Sequence, residues 1–187
     1  MSSENLIETS IAILSEIEST LRTVDPASID QLADDLMKAR QIFCLGAGRS
    51  GILLHAFCMR LNHLGLDAYM VGGLPCPLAG AGDLIVVVSG SGKTPSVLSV
   101  LRNGLAAGAK VTLFTAAEAD ASLEADTVIR VTAPSKLVNE DKRRIPQPMR
   151  SLFEQTVFIA CETVVCALKS RMGLADEAMA SRHTNLE

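Results

Sequence analysis

Apolar positions change rhythm once along the chain, near residue 40. Before it, Ile7, Ile11, Leu14 and Leu21 recur at helical spacing, with Leu6, Ile13 and Ile17 widening the stripe. Asp25-Pro26 interrupts that helix. Ser28 and Gln31 then form a capping-box pattern that opens a second helix, ending near Arg40. Beyond it, short apolar runs alternate with helical stretches. Gln41–Leu45, Ala68–Val71, Leu84–Val88, Val111–Thr115 and Thr127–Val131 predict strands. Ser50–Leu64, Pro95–Ala107 and Ala119–Ala125 predict helices between them. Leu84-Ile-Val-Val-Val88 is apolar at consecutive positions, as a strand covered on both faces of a parallel sheet must be. This alternation predicts right-handed crossovers and an α/β fold, a three-layer α/β/α sandwich. The stretch from Val71 to Asp83, rich in Gly and Pro, reads as a loop carried over the sheet.

Ala133–Met149 is the one long irregular stretch, with Pro134, Pro146, Pro148 and the charged run Glu140-Asp-Lys-Arg-Arg144. Loops of that length inside a compact domain are usually functional. A long helix follows, about Leu152 to Met172, with Phe153, Val157, Ala160, Val164 and Ala167 on one face. The chain reads as a single domain over residues 1–187, with N-terminal helices at about 1–40. Its terminal helices carry wider apolar stripes than one sheet face needs, which points to subunit packing.

Composition narrows the function classes. Hydrophobic residues are 48% and charged residues 20%, which excludes a disordered chain. A net charge of −4, with five Phe, one Tyr and no Trp, offers neither the positive field nor the stacking platforms of a nucleic-acid binder. No apolar run reaches the ~18–20 residues of a membrane span, and Met1 to Ser10 lacks a signal-peptide pattern. The five cysteines show no CxxC spacing, which fits a reduced cytoplasmic interior and disfavours a structural zinc.

Two glycine-rich loops carry the candidate chemistry. Gly46-Ala-Gly-Arg-Ser-Gly51 follows a strand and opens a helix, so its amides and the helix dipole favour an anion. It matches GxGxxG, but Asp67 lies at the start of the second strand rather than its end, so a nicotinamide cofactor is not expected. Ser89-Gly-Ser-Gly-Lys-Thr94 follows the most apolar strand and ends like a Walker A loop. Val87 stands where that motif needs its first glycine, which argues against ATP hydrolysis. Thr94 and Pro95 suit an N-cap and a first helical position. The hydroxyls of Ser89, Ser91 and Thr94, beside Gly90, Gly92 and Lys93, suit one phosphomonoester, and Arg49 could add charge. Read blandly, these are turn and capping residues.

GAGRSG and SGSGKT, so spaced between strands, resemble the sugar isomerase (SIS) domain. Gln147-Pro-Met-Arg-Ser-Leu-Phe-Glu-Gln155, Met59-Arg-Leu-Asn-His-Leu-Gly65 and His183-Thr-Asn-Leu-Glu187 resemble the 6-phospho-3-hexuloisomerase family. The resemblance implies a five-stranded parallel sheet with flavodoxin-like winding, a homotetramer, and interconversion of D-arabino-hex-3-ulose 6-phosphate with fructose 6-phosphate. That reaction belongs to formaldehyde fixation by the ribulose monophosphate route, downstream of hexulose-6-phosphate synthase. By the same resemblance, Ser50 and Ser89 to Thr94 hold substrate and Glu154 accepts the proton. Arg150 stands where the family commonly has glycine, Lys93 where some members have glutamate, and Thr184 where alanine is expected.

Moving a carbonyl from C3 to C2 needs one base working through an enediol, with no metal and no cofactor. Such a base contributes ~10²–10⁴-fold. Glu154 also fits a plainer reading, since Ser151-Leu-Phe-Glu154 is a capping box. His63 and His183 are candidates for a second proton-shuttling group. His63 lies ~20 Å along its helix from Ser50, so it could act only from a neighbouring subunit. His55 is closer, with no motif behind it. The rival readings are an isomerase for arabinose 5-phosphate or sedoheptulose 7-phosphate, and a non-catalytic sugar-phosphate sensor.

Overall fold

The structure, a computed structural model, describes residues 3–117, 125–132, 147, 149 and 151–186. Two helices open the chain, α1 (Ser3–Leu21) and α2 (Pro26–Lys38). Their junction corrects the expected capping box. Asp25 is the N-cap of α2, accepting a hydrogen bond from the Ala27 amide, and Pro26 begins the helix. Ser28 lies inside the first turn and its hydroxyl donates to the Asp25 carbonyl. A proline at the first helical position has no amide to satisfy and a backbone already suited to a helix, so Asp-Pro both ends α1 and starts α2.

The α/β region then runs β1 (Ile42–Gly46), α3 (Arg49–Leu64), β2 (Ala68–Met70), β3 (Leu84–Val88), α4 (Pro95–Ala106), β4 (Lys110–Thr115) and β5 (Thr127–Arg130). Each agrees with its predicted span to within about one residue at either end, the ordinary scatter of element boundaries. Residues 71–83 form turns, as expected. The helix predicted at Ala119–Ala125 and most of the long irregular segment lie outside the described residues. Two helices close the chain, α5 (Ser151–Arg171) and the short α6 (Asp176–Ala180), which periodicity did not reveal.

All strands are parallel, in the order β2-β1-β3-β4-β5. This is the flavodoxin-like winding, with its switch point between β1 and β3. Each strand interior feeds two apolar layers. On one face Leu32, Leu54, Phe57, Leu61, Val157 and Val164 from α2, α3 and α5 pack over Cys44, Val86 and Phe114. On the other, Val97 and Leu101 of α4 cover Ile85, Val87 and Leu113.

Two expectations about the terminal helices change. Helix α5 is long and apolar enough to cross a membrane by length and composition, contrary to the reading that no segment is. The charges at Glu154, Glu162 and Lys169 interrupt its apolar run, so the sequence read as too broken for a span. Within the fold it is a core helix, with Leu152, Phe153, Val157, Ala160, Val164 and Leu168 buried. In α1 only part of the predicted stripe turns inward. Leu21 packs on the core, and Ile13 and Ile17 are partly covered. Ile7, Ile11 and Leu14 are each about 60% exposed.

The end of β1 meets the first turn of α3 backbone to backbone. A Cβ on Gly51 would stand 2.7 Å from the Gly46 carbonyl oxygen, and one on Gly46 would stand 2.9 Å from the Gly51 nitrogen. Only hydrogen fits at either position. Gly51→Ala is therefore expected to cost about 1–3 kcal/mol through forced backbone displacement. Calorimetry should show Tm lowered by roughly 2–12 °C.

Candidate active site

At the switch point both glycine loops stand at the carboxyl ends of neighbouring strands, where open α/β sheets place ligands. The first loop reaches α3 through Gly48, whose φ of 57° favours glycine. Arg49, the first residue of α3, is exposed, while Ser50 is buried. The first amides of α3 and α4 have no partner within their own helices and so can serve an anion.

The second loop is built partly from its own hydrogen bonds. The Gly92 amide donates to the Ser89 carbonyl, and the Lys93 amide donates to the Ser91 hydroxyl. Gly92 has φ 64°. Thr94 is the N-cap of α4 and Pro95 its first residue, as expected, but the Thr94 side chain makes no capping bond. Its hydroxyl lies 3.4 Å from that of buried Ser89. Ser91 and Lys93 are exposed. A Cβ on Gly90 would meet the Phe153 ring at 3.2 Å, so this loop rests directly on the first turn of α5.

That turn presents Glu154. Its Oε2 lies 3.8 Å from Arg49 Nε, too long for a hydrogen bond but close enough for charge attraction. Oε2 is buried and has no hydrogen-bond partner among the described residues. Ser151, the other member of the predicted capping box, stands as the first residue of α5. Glu154, Gln155 and Arg49 line a groove of about 590 Å³ whose other walls are apolar, from Ile13 and Ile17 of α1, Leu53 of α3 and Phe158 of α5. Gln155 Oε1 is also buried without a partner among the described residues. An acceptor buried and left unpaired costs about 1–3 kcal/mol. Sequence reasoning passed over Gln155, although it closes the motif that carries Glu154, because no spacing singles out an amide.

The histidines gather elsewhere. His63 is buried near the far end of α3, its ring 5.1 Å from that of exposed His183. Arg60 Nη1 stands 3.5 Å from His63 Nδ1, and Arg182 donates to the His63 carbonyl. Burial first, then His183 and Arg60, hold the His63 imidazole below its usual pKa. The helix connecting Arg49 to His63 is continuous, so ~20 Å separates this cluster from the loops. The structure thus brings Arg49 to Glu154 and the second loop to the start of α5, and pairs the histidines away from both. His55 is exposed on α3, and Arg150 lies outside the described residues.

No protein-family model matches the chain. The fold is that of the SIS sugar isomerases. A Methanococcus jannaschii protein whose crystal structure was taken to infer a 3-hexulose-6-phosphate isomerase function superposes with a TM-score of 0.79 at 33% identity, over 98% of this chain and 99% of that one. At 16% identity, a phosphoheptose isomerase from Francisella tularensis shares the fold, with a TM-score of 0.67 over 91% of this chain and all of that one. The 3-hexulose-6-phosphate isomerase of Bacillus subtilis is 36% identical, over 94% of this chain and 95% of its own length. That of Mycobacterium gastri is also 36% identical, over 92% and 86%. The chain belongs to the 3-hexulose-6-phosphate isomerase family.

The depressed pKa of His63 has a consequence for stability. The unfolded chain, whose histidines titrate near 6.5, takes up the proton first on acidification. Between about pH 6.5 and the lower folded value, stability attributable to His63 therefore falls with pH. Urea unfolding from about pH 7 to 5 should show a shallower loss in His63→Gln than in the parent chain.

Proposed function

We propose that the chain carries out the reaction its relatives are named for, between D-arabino-hex-3-ulose 6-phosphate and D-fructose 6-phosphate. The observation that carries this reading is the Glu154 oxygen, buried without a hydrogen-bond partner among the described residues, beside Arg49 at the start of α3. The phosphate is held by the opening amides of α3 and α4 with the hydroxyls of Ser50, Ser89, Ser91 and Thr94, the backbone of Gly90 and Gly92, and the charges of Lys93 and Arg49. Glu154 then removes the C2 proton of the 3-ulose, giving a 2,3-enediol, and returns a proton to C3. Arg49 keeps negative charge at that position tolerable through both transfers. No metal or cofactor enters this scheme.

The hydroxyl protons need a second shuttle. His63 and His183 fit that role only if supplied by a neighbouring copy, because ~20 Å of helix separates them from the loops of their own chain. A homotetramer, the assembly the family resemblance implies, would supply it. The outward Ile7, Ile11 and Leu14 of α1, and the exposed Ile52 of α3, give such an assembly apolar surface to cover. In this reading the chain is one cytoplasmic domain. A hexulose-6-phosphate synthase forms its substrate during formaldehyde fixation.

Fructose 6-phosphate in deuterated water tests the chemistry. Deuterium at C3 together with the 3-ulose product is the expected result, and saturable binding without exchange would leave a sensor instead. Glu154→Gln should lower turnover by at least ~10²-fold while substrate still binds. Exchange near the parent rate in that variant would remove Glu154 as the base. Ser91→Ala should raise KM several-fold with kcat little changed, and an unchanged KM would take Ser91 out of the phosphate site.

A further inference from the structure

The turn that opens the second glycine loop is held by the strand beside it. The Gly92 amide donates to the Ser89 carbonyl at 3.1 Å, which makes Ser89–Gly92 a β-turn with Gly90–Ser91 as its central peptide. β-Turns of types I and II differ in which way that central peptide faces. Here its carbonyl is caught at the end of β4. The Ala116 amide donates to the Gly90 carbonyl at 3.1 Å, and the Thr115 hydroxyl donates to the same oxygen at 3.4 Å. That hydroxyl also accepts from the Ala117 amide at 3.1 Å, closing a side-chain turn that fixes the chain as it leaves β4. One donor to Gly90 therefore belongs to Thr115, and the other sits inside the turn that Thr115 makes. Thr115 is only 4% exposed.

The Gly90–Ser91 peptide is planar and trans, so its N–H points opposite to its C=O. With the carbonyl turned to β4, the Ser91 amide points away from β4. Strand β3 lies between β4 and β1, so that direction is the side on which the first glycine loop stands. The Ser91 amide has no hydrogen-bond partner among the described residues, and Ser91 is exposed. An open backbone amide on that side, at the carboxyl edge of a parallel sheet, is a donor for an anion.

We propose that Thr115 is a positioning residue for the phosphate group: by holding the Gly90 carbonyl at the end of β4, it turns the Ser91 amide toward the phosphate. Thr115 touches neither the phosphate nor the reacting carbons in this scheme, which rests on the phosphate position proposed above. The Phe153 ring packs against Gly90 and steadies the same residue from α5.

Proton–nitrogen correlation NMR of the labelled chain, titrated with inorganic phosphate, reads the Ser91 amide directly. In the parent chain its resonance should move downfield as phosphate saturates. Thr115→Val keeps the branched shape and removes the hydroxyl. It should raise the phosphate Kd by roughly 2–12-fold, the span of one net hydrogen bond, and raise KM for fructose 6-phosphate by the same factor with kcat little changed. Thr115→Ser keeps the hydroxyl and loses a buried methyl, so it should lower Tm yet leave both constants near the parent values. Affinity that instead follows Tm across the two variants would leave Thr115 a packing residue and overturn the proposal. A Ser91 resonance that stays in place while other loop amides move would overturn it too, and needs only the parent chain if the valine variant fails to fold. No response from either loop would overturn the phosphate site and this proposal with it. Phosphate binding that moves the Ser91 amide without deuterium entering fructose 6-phosphate would overturn the isomerase reading and uphold the role of Thr115.

Discussion

The approach of Gly46 to Gly51 sets where the first glycine loop and α3 stand on the sheet. Because neither residue has a side chain, α3 begins in contact with the end of β1. That fixes Ser50 and Arg49 over the carboxyl edge of the sheet and sets the axis of α3. Helix α3 packs along α5, through Leu54, Phe57 and Leu61 on one side and Val157, Cys161 and Val164 on the other. Glu154 therefore meets Arg49 as a result of core packing rather than through a loop of its own. The same rigid helix carries His63 out of reach of the loops. One continuous helix thus separates the first glycine loop from the imidazole pair by ~20 Å.

The two edges of the sheet treat charge differently. At the amino edge, Asp83 is fully buried and accepts two hydrogen bonds from Arg40 and one from the Gly80 amide. Asp35 there keeps one oxygen unpaired, yet Lys110 and Gln31 both donate to the other. Those carboxylates are structural, with their charge compensated inside the fold. At the carboxyl edge, Glu154 has a cation at 3.8 Å and a buried oxygen that receives no hydrogen, and Gln155 beside it has another. Costs of about 1–3 kcal/mol for each unpaired group are tolerable in a domain with two apolar layers.

Much of this was legible in the sequence because the signals were local. Leu84–Val88 could only be a covered strand, and the glycine loops could only be strand-to-helix turns, so the winding and the placement of both loops at one edge of the sheet followed. The family motifs then selected Glu154. What stayed hidden depended on geometry across elements. Asp25-Pro26 outcompeted Ser28 as the start of α2 through backbone preorganisation, which a pattern of side-chain types underrates. The α1 stripe showed helical spacing correctly but could not show that Ile7, Ile11 and Leu14 face away from this chain's core. Gln155 went unremarked because an amide becomes informative only when its partners are known to be missing. His63 and His183 were separate candidates in sequence, and their pairing needed α6 to turn the tail back onto α3.

Helix α1 is the part of the fold that the sheet needs least and the groove needs most. The β2-β1-β3-β4-β5 sheet is already covered by α2, α3, α4 and α5, so α1 adds little to closing the core. Its Ile13 and Ile17 instead wall the groove that holds Glu154 and Gln155. Glu16, on the same helix, accepts a hydrogen bond from Gln147, which ties α1 to the chain leading into α5. Apolar walls there exclude water from two unpaired acceptors. The N-terminal helix therefore lowers the dielectric around Glu154 and Gln155.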